Sequence, residues 1–271
     1  MRTVEIDIVI PVLNDLRILE TIASVRFFDD RDSVRLVIMA GKSTEEFLSQ
    51  LRPLMHDRDV LDTVPDAGIF DALNKGLAHC TAPVVGWLGA DDIFSGAVRA
   101  SDVMKEFCDQ AIDIVVYSTE YHTGKRVTRH LSARWSQRQF LPWGFHNPHF
   151  STFLSRPVYK EHRFSHEAGR PNQFSDITYF VDLLRNYKVT TRDEVCTYMA
   201  EGGSASGTFR AILYSSKCRF LLYKDRFGPI SGVAAPVVNL AWKFSSVLKH
   251  KLRPKNCAPL WCSATARADQ Q

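Results

Sequence analysis

Residues 65–94 read PDAGIFDALNKGLAHCTAPVVGWLGADDIF. The stretch opens on a glycine turn and continues into a short amphipathic helix. Its second half, Pro83-Val-Val-Gly-Trp-Leu88, is a near-continuous apolar run of the kind found in a parallel sheet covered on both faces. Gly89-Ala90 end that strand, and Asp91-Asp92 follow. In open α/β sheets ligands bind beyond the carboxyl ends of the strands, so the two acids fall where substrate is expected. Adjacent carboxylates repel unless a cation or a ribose hydroxyl shares them. Oxygen donors of this kind suit Mg2+ or Mn2+ held together with substrate phosphates. The competing reading is that the pair caps a helix starting near Phe94, because Asp favours N-cap positions.

Upstream, strand and helix alternate. Val4–Val12 reads as a first strand ended by Pro11, and Asn14 and Asp15 open a helix over about 16–27. Val34–Met39 is a second strand, and Ala40-Gly41-Lys42-Ser43 is a turn. Ser43 or Thr44 caps the next helix, with Glu46 at the capping-box spacing from Ser43. Val60–Val64 is a short third strand, and the helix about 70–78 leads to the strand at 83–88. Downstream come a helix from about Gly96 to Cys108, a strand over Ile112–Ser118, a loosely patterned region over 120–145, an apolar run at Phe150–Leu154 and a helix over Asp176–Asn186. This alternation predicts an α/β fold with a mostly parallel central sheet flanked by helices.

At 271 residues the chain suits one large α/β domain with a full core. A net charge of +4 is too mild to argue for nucleic acid, but the basic residues are unevenly placed. Between Arg210 and Lys255 ten Lys or Arg face a single acid, Asp225, among Phe220, Leu221, Val237, Trp242 and Phe244. That basic, aromatic stretch fits either an anionic membrane surface or a helix packed on the domain with a solvated basic side. Cysteines 80, 108, 196, 218, 257 and 262 show no CxxC spacing, so neither a zinc site nor a disulfide framework is expected. The start, MRTVEIDIVIPV, lacks the order of a signal peptide, and no apolar run has the length of a clear membrane span. A cytoplasmic protein is expected, peripheral on the inner face of the plasma membrane if the tail binds lipid.

Several segments together resemble the family 2 glycosyltransferases, enzymes of the GT-A fold that move a sugar from a nucleotide donor to an acceptor hydroxyl. Ile8-Val-Ile-Pro-Val-Leu-Asn14 is similar to the family's first strand. Pro65-Asp-Ala-Gly-Ile-Phe-Asp-Ala-Leu-Asn-Lys-Gly76 is similar to its D-x-G-I-[YF]-D-A-x-N-K-G stretch, the most specific match. Leu88-Gly-Ala-Asp-Asp92 resembles its metal and ribose motif. His149 before an apolar strand, Ser175-Asp176 opening a helix that carries Arg185, and Gly202-Gly203-Ser204 resemble the acceptor half. One departure stands out: the second strand commonly ends in Asp-Gly-x-Ser, whose Asp helps read the base, and here that position is Ala40.

The resemblance implies a GT-A-type Rossmann-like sheet with a nucleotide-sugar-binding half at 1–118, an acceptor-binding half of the same domain at 119–208 and a basic helical C-terminal extension at 209–271. It implies that Pro11, Val12 and Asn14 line the nucleotide pocket, and that Gly68, Asn74 and Lys75 border the nucleotide or its phosphates. Asp66 is a candidate for the base-reading carboxylate absent at position 40. Asp92 is assigned to a divalent metal, Mn2+ or Mg2+, and Asp91 to ribose or metal. His149 is assigned to the acceptor or the diphosphate, with His146 the weaker candidate beside it. Arg185 is assigned to orienting an acceptor-side carboxylate or a phosphate.

Transfer builds an oxocarbenium-like centre while negative charge gathers on the leaving diphosphate. An acceptor hydroxyl needs a base to take its proton, and Asp176, at a helix start where the macrodipole favours its ionised form, is the candidate; the same position is also an ordinary capping site. The expected activity is metal-dependent, inverting transfer from a UDP- or GDP-sugar to a saccharide or lipid-linked saccharide, in surface polysaccharide biosynthesis. Two other classes compete. One is a catalytically reduced scaffold or partner subunit, favoured by Ala40. The other is a sugar-nucleotide nucleotidyltransferase, disfavoured because Pro11-Val-Leu-Asn-Asp15 is no glycine-rich basic loop.

Overall fold

The computed structural model of the chain describes residues 3–109, 111–123, 126–145, 147–165, 175–200 and 209–252. In chain order the elements are β1 (Ile6–Pro11), α1 (Ile18–Phe28), β2 (Val34–Met39), α2 (Glu45–Leu51), β3 (Val60–Asp62), α3 (Ile69–His79), β4 (Val84–Trp87), β5 (Ile93–Phe94), α4 (Ala100–Asp109), β6 (Ile114–Thr123), β7 (Arg126–Leu131), β8 (Thr152–Ser155), α5 (Arg156–Glu161), α6 (Ser175–Asn186), β9 (Val189–Ala200), α7 (Phe209–Phe227) and α8 (Pro229–Leu252).

The strands form one sheet in the order β3-β2-β1-β4-β8-β6-β9-β5, with β7 paired to β6. β3, β2, β1 and β4 are all parallel. β8 then enters antiparallel to both β4 and β6, and β9 runs parallel to β6. The α/β expectation holds, with the unbroken parallel part confined to the first half. The sheet runs without a break through 118/119, which lies inside β6.

Alternation along β1 sets up both layers. Ile6, Ile8 and Ile10 pack with Ile18, Ile22, Val25 and Phe28 of α1 and Phe47, Leu48 and Leu51 of α2. Val9, together with Val37, Met39, Val85 and Trp87, packs on the other face with Ala72, Leu73 and Leu77 of α3 and with Phe180, Leu183 and Leu184 of α6. Each Val, Leu, Ile, Phe or Met among them contributes about 1.5–3 kcal/mol when fully buried. α3 lies so close to the sheet that a Cβ on Gly76 would overlap Val9 and sit 3.2 Å from Met39, which accounts for a glycine inside a helix.

Register brings the candidate residues to one edge. The start of β8 lies at the carboxyl end of β4, since Val84 pairs with Ser155 and Val85 with Leu154. β6 and β9 point the same way as β4, with Val116 opposite Thr152 and Ile114 opposite Val189. α6 leads into the start of β9 at the opposite edge, so its first turn, with Asp176, returns to the carboxyl edge after about 18 Å of helix.

Three local expectations change. Asp91-Asp92 cap no helix, because β5 follows them and α4 begins at Ala100. α2 is capped by Thr44, whose Oγ1 accepts the Phe47 N–H at 3.3 Å; Ser43 and Glu46 form no capping box. β7 and β9 arise where the sequence pattern had suggested no strand.

The C-terminal extension is a helical hairpin turning at Gly228, whose φ of +92° suits glycine. It packs on the domain: Leu222, Tyr223 and Ala235 cluster with Val181 of α6, and Arg226 pairs with both carboxylate oxygens of Asp182 at 2.7 and 3.0 Å. α8 crosses the turn at Gly144 (φ +74°), where an added Cβ would lie 2.5 Å from that of Ala235. No helix among the described residues is long and apolar enough to cross a membrane. The four described cysteines are free thiols, with Cys80, Cys196 and Cys218 buried.

Candidate active site

The parallel ladder extends past its strand ends: the Val12 N–H donates to Met39 O at 2.9 Å, Ala40 N–H to Asp62 O at 2.7 Å, and Leu88 N–H to Val9 O at 3.1 Å. These bonds fix the loops at the carboxyl edge of β1, β2 and β4. Pro11 sits half-buried at the end of β1. The Val12 side chain lies in the core and its N–H is taken by Met39 O. Asn14 stands exposed at φ +50°, and its Oδ1 accepts the Thr44 N–H at 2.9 Å, locking the β1–α1 loop to the start of α2.

Ala40 is fully buried in the core. Beside it, Gly41 is so closely covered that a Cβ would come within 2.5 Å of Asp66 Oδ2 and 2.6 Å of Val64 O. The Asp66 carboxylate therefore lies against the turn whose own acid is missing, and its other oxygen accepts the Gly68 N–H at 2.9 Å. Gly68, at φ +124°, has a conformation that only glycine adopts readily. Lys75 donates to Pro65 O at 2.7 Å and pairs with Asp71 at 2.8 Å, so its ammonium is fastened over this same turn. The Asn74 amide donates to Phe164 O at 2.8 Å and accepts from Phe164 N–H at 2.9 Å, clamping the main chain at Phe164 to α3.

The two acids at the end of β4 are not equivalent. Asp92 is only 3% exposed, and its oxygens accept N–H groups from Gly89 and from Ala200 at the end of β9, each at 3.2 Å. Its carboxyl is pushed up to about 7, chiefly by burial and then by the charge of Asp91, against the pull of those N–H groups and Arg17. Gly89 is required, because a Cβ there would sit 2.5 Å from Asp92 Oδ2. Asp91 faces outward into a recess lined by Arg17, Glu20, His122, Tyr198 and Met199. The Arg17 guanidinium lies 3.0 Å from Asp91 Oδ2 and also forks onto Asp15.

Sequence reasoning missed Arg17. A signal was available, since a cation in the turn entering a helix opposes the macrodipole and calls for an acidic partner. The open carboxylate oxygens of Asp91 suit a hard divalent ion, which would take the place of the Arg17 guanidinium now paired with them. Among the described residues no cluster of three protein ligands is present, so further donor atoms for such an ion would come from the diphosphate.

The second recess is lined by Phe145, Asn147, His149, Asp176, Ile177, Phe180, Arg219 and Tyr223. Burial raises the Asp176 carboxyl, while His149, the Ile177 N–H and Arg219 pull it back. Burial pushes the His149 imidazole down despite Asp176 nearby, so the ring is neutral at neutral pH. It packs on Phe150 and Phe180 with ring centroids 4.3 and 5.9 Å away. Arg185 is not brought to the Asp176 recess. It lies nine residues beyond Asp176 on α6, roughly 13 Å along the axis, and its guanidinium sits over the Phe227 ring at 5.8 Å. The arginine at Asp176 is Arg219, from α7, which no local sequence pattern linked to that site. His146 and Gly202-Gly203-Ser204 lie outside the described residues.

The family model described as "Glycosyl transferase family 2" matches residues 7–176, more than half of the chain, starting in β1 and ending on Asp176. Among solved structures, TarS 1–349 of S. aureus in complex with UDP-GlcNAc is similar with a TM-score of 0.60 and 13% identity, over 91% of this chain and 71% of that one. The mannosyltransferase PcManGT from Pyrobaculum calidifontis, in complex with GDP-Man and Mn2+, is similar with a TM-score of 0.57 and 15% identity, over 100% of this chain and 80% of that one. No curated protein matches the sequence.

Proposed function

This chain belongs to glycosyl transferase family 2, and we propose that it catalyses metal-dependent, inverting transfer of a sugar from a UDP- or GDP-sugar to a saccharide hydroxyl. The observation that carries this reading is the shared edge. An outward carboxylate at Asp91 and a recessed carboxylate at Asp176 both lie beyond the carboxyl ends of the parallel strands, in separate recesses.

The donor's nucleoside would lie over the β1, β2 and β3 loops, with Asp66 beside the 40–43 turn as the group that meets the base. Asp91 and Asp92 would hold the divalent ion, Asp91 from the open side and Asp92 from beneath the loop it fastens. Such an ion, when bound, neutralises charge on the leaving diphosphate. On the acceptor side Asp176 takes the hydroxyl proton as the oxygen attacks the anomeric carbon. The bond from that carbon to the diphosphate oxygen breaks, and the nucleoside diphosphate departs with the electron pair. A single base opposite the leaving group gives one displacement and hence inversion. His149, neutral, is suited to hydrogen-bonding the acceptor or the diphosphate without competing for the proton.

The acceptor is proposed to be lipid-linked, as in surface polysaccharide biosynthesis. α8 leaves Ile230, Val233 and Val237 exposed at 81, 61 and 60%, a stripe on the free side of the hairpin. Farther along the same helix the sequence carries Lys243, Lys249 and Lys251. Apolar contact backed by basic residues suits an anionic bilayer surface.

Two measurements test these statements. Nucleoside diphosphate release is assayed over a panel of UDP- and GDP-sugars with and without Mn2+, with calorimetry of the free nucleotides alongside. Metal-dependent binding and release with one donor class is expected, and no metal-dependent nucleotide binding overturns the enzymatic reading. Vesicle flotation compares anionic with zwitterionic lipid. Binding to anionic vesicles that is lost at high salt and in Ile230→Asp is expected; recovery with neither lipid removes the membrane, and equal recovery with both removes its anionic character.

A further inference from the structure

Arg219 is 3% exposed, and removing a guanidinium from water is expensive unless its charge is used. The Leu222, Tyr223 and Ala235 contacts and the Arg226–Asp182 pair hold the hairpin on the domain and bring Arg219 to the edge of the Asp176 recess. Arg219 donates to Gly144 O at 3.3 Å, hydrogen-bonds Tyr223 one turn on, and lines the recess that holds Asp176. Among the described residues the titratable and charged groups facing Asp176 are His149, from the turn before β8, and Arg219 and Tyr223, from α7. His149 is held neutral by burial, and burial also keeps the Tyr223 phenol protonated. Arg219 is therefore the fixed positive charge of that group, since guanidinium does not titrate in proteins.

We propose that Arg219 is a positioning residue for Asp176: its guanidinium, delivered by the C-terminal hairpin, keeps the carboxylate ionised and aimed at the acceptor hydroxyl, so that the extension completes the acceptor side of the site. This rests on the reading of Asp176 as the base. Burial alone lifts the Asp176 carboxyl and a nearby cation lowers it. Loss of the cation therefore raises it further, and the carboxylate is protonated at a higher pH than in the parent enzyme.

The test is kcat and KM for donor and acceptor across pH in the full chain and in Arg219→Gln, Arg219→Lys and Asp176→Asn. Arg219→Gln, which keeps a donor for Gly144 but no charge, is expected to lower kcat roughly 10–100-fold and to move the acid limb of the profile up by about one pH unit. Donor KM should hold within about twofold, since Arg219 does not line the Asp91 recess. Arg219→Lys should restore the limb and most of kcat. An unmoved limb in Arg219→Gln, or Arg219→Lys no better than Gln, makes the residue merely structural and overturns the proposal. Should the Gln variant not fold, Arg219→Met, which keeps the length without the charge, decides in the same assay: a limb moved up supports the proposal, and a parental limb refutes it. Undiminished transfer by Asp176→Asn would instead overturn the base assignment itself, which separates the two failures.

Discussion

Asp176→Asn is expected to lower sugar transfer by roughly 10²–10⁴-fold, the usual worth of a positioned base, while leaving donor KM and metal response near parental values. The substitution is close to isosteric, and Asn retains an oxygen that can accept the Ile177 N–H now bound at 2.7 Å. Melting temperature should therefore hold, and the loss should fall on kcat. Acid conditions should mimic it. The Asp176 carboxyl is raised above the ordinary range, so the active, ionised form is present above that raised value and is lost as pH falls through it. A steady-state pH profile with a single acid limb, absent from the Asn variant's residual rate, is the signature to look for. Parental kcat in Asp176→Asn would remove this residue from the chemistry.

Asp91→Ala should abolish Mn2+-dependent tightening of the nucleotide without unfolding the protein, whereas Asp92→Ala should do both. Asp91 faces the recess, half-exposed, and its described protein contact is the surface pair with Arg17, which contributes little to stability. Asp92 is buried and accepts two main-chain N–H groups that tie β4, β5 and β9 together. Removing it leaves those donors without their acceptor, at about 1–3 kcal/mol each. Calorimetric titration of UDP and GDP with and without Mn2+, read beside thermal melts, checks the contrast. Parental metal dependence in Asp91→Ala would refute its role as the open ligand. An unchanged melting temperature in Asp92→Ala would refute the second role.

Much of the donor half was legible because periodicity and punctuation agree there. The alternating isoleucines of β1, the apolar run of β4 and the glycines at 68, 76 and 89 each have one structural use, and the use matches the pattern. β9 was not legible. Arg192-Asp193-Glu194 interrupts its apolar pattern, and the strand pairs along β6 while Arg192 forks onto Glu106 of α4. Such support is invisible to a window moving along the chain. The acid pair was read correctly as a terminus of β4, but its division into one buried and one open carboxylate depends on Ala200, more than a hundred residues away in the chain. Asn74 and Lys75 are neighbours in one motif, yet one clamps Phe164 and the other sits over the 65–71 turn, because adjacent positions on a helix face about 100° apart. Arg185 against Arg219 makes the same point. The resemblance pointed to the former, which helical rise sets roughly 13 Å along the axis from Asp176, whereas tertiary docking brought the latter to the recess.

The methyl group of Ala40 lies wholly inside the hydrophobic layer beneath the sheet edge. Grafting an acid onto that position would not reinstate a lost reader of the nucleobase. It would thrust an unsolvated anion among aliphatic neighbours, at a penalty of several kcal/mol. Ala40 and the 64–66 segment that closes over its neighbour Gly41 thus form a matched set, and an acid could be housed at position 40 only by changing both together.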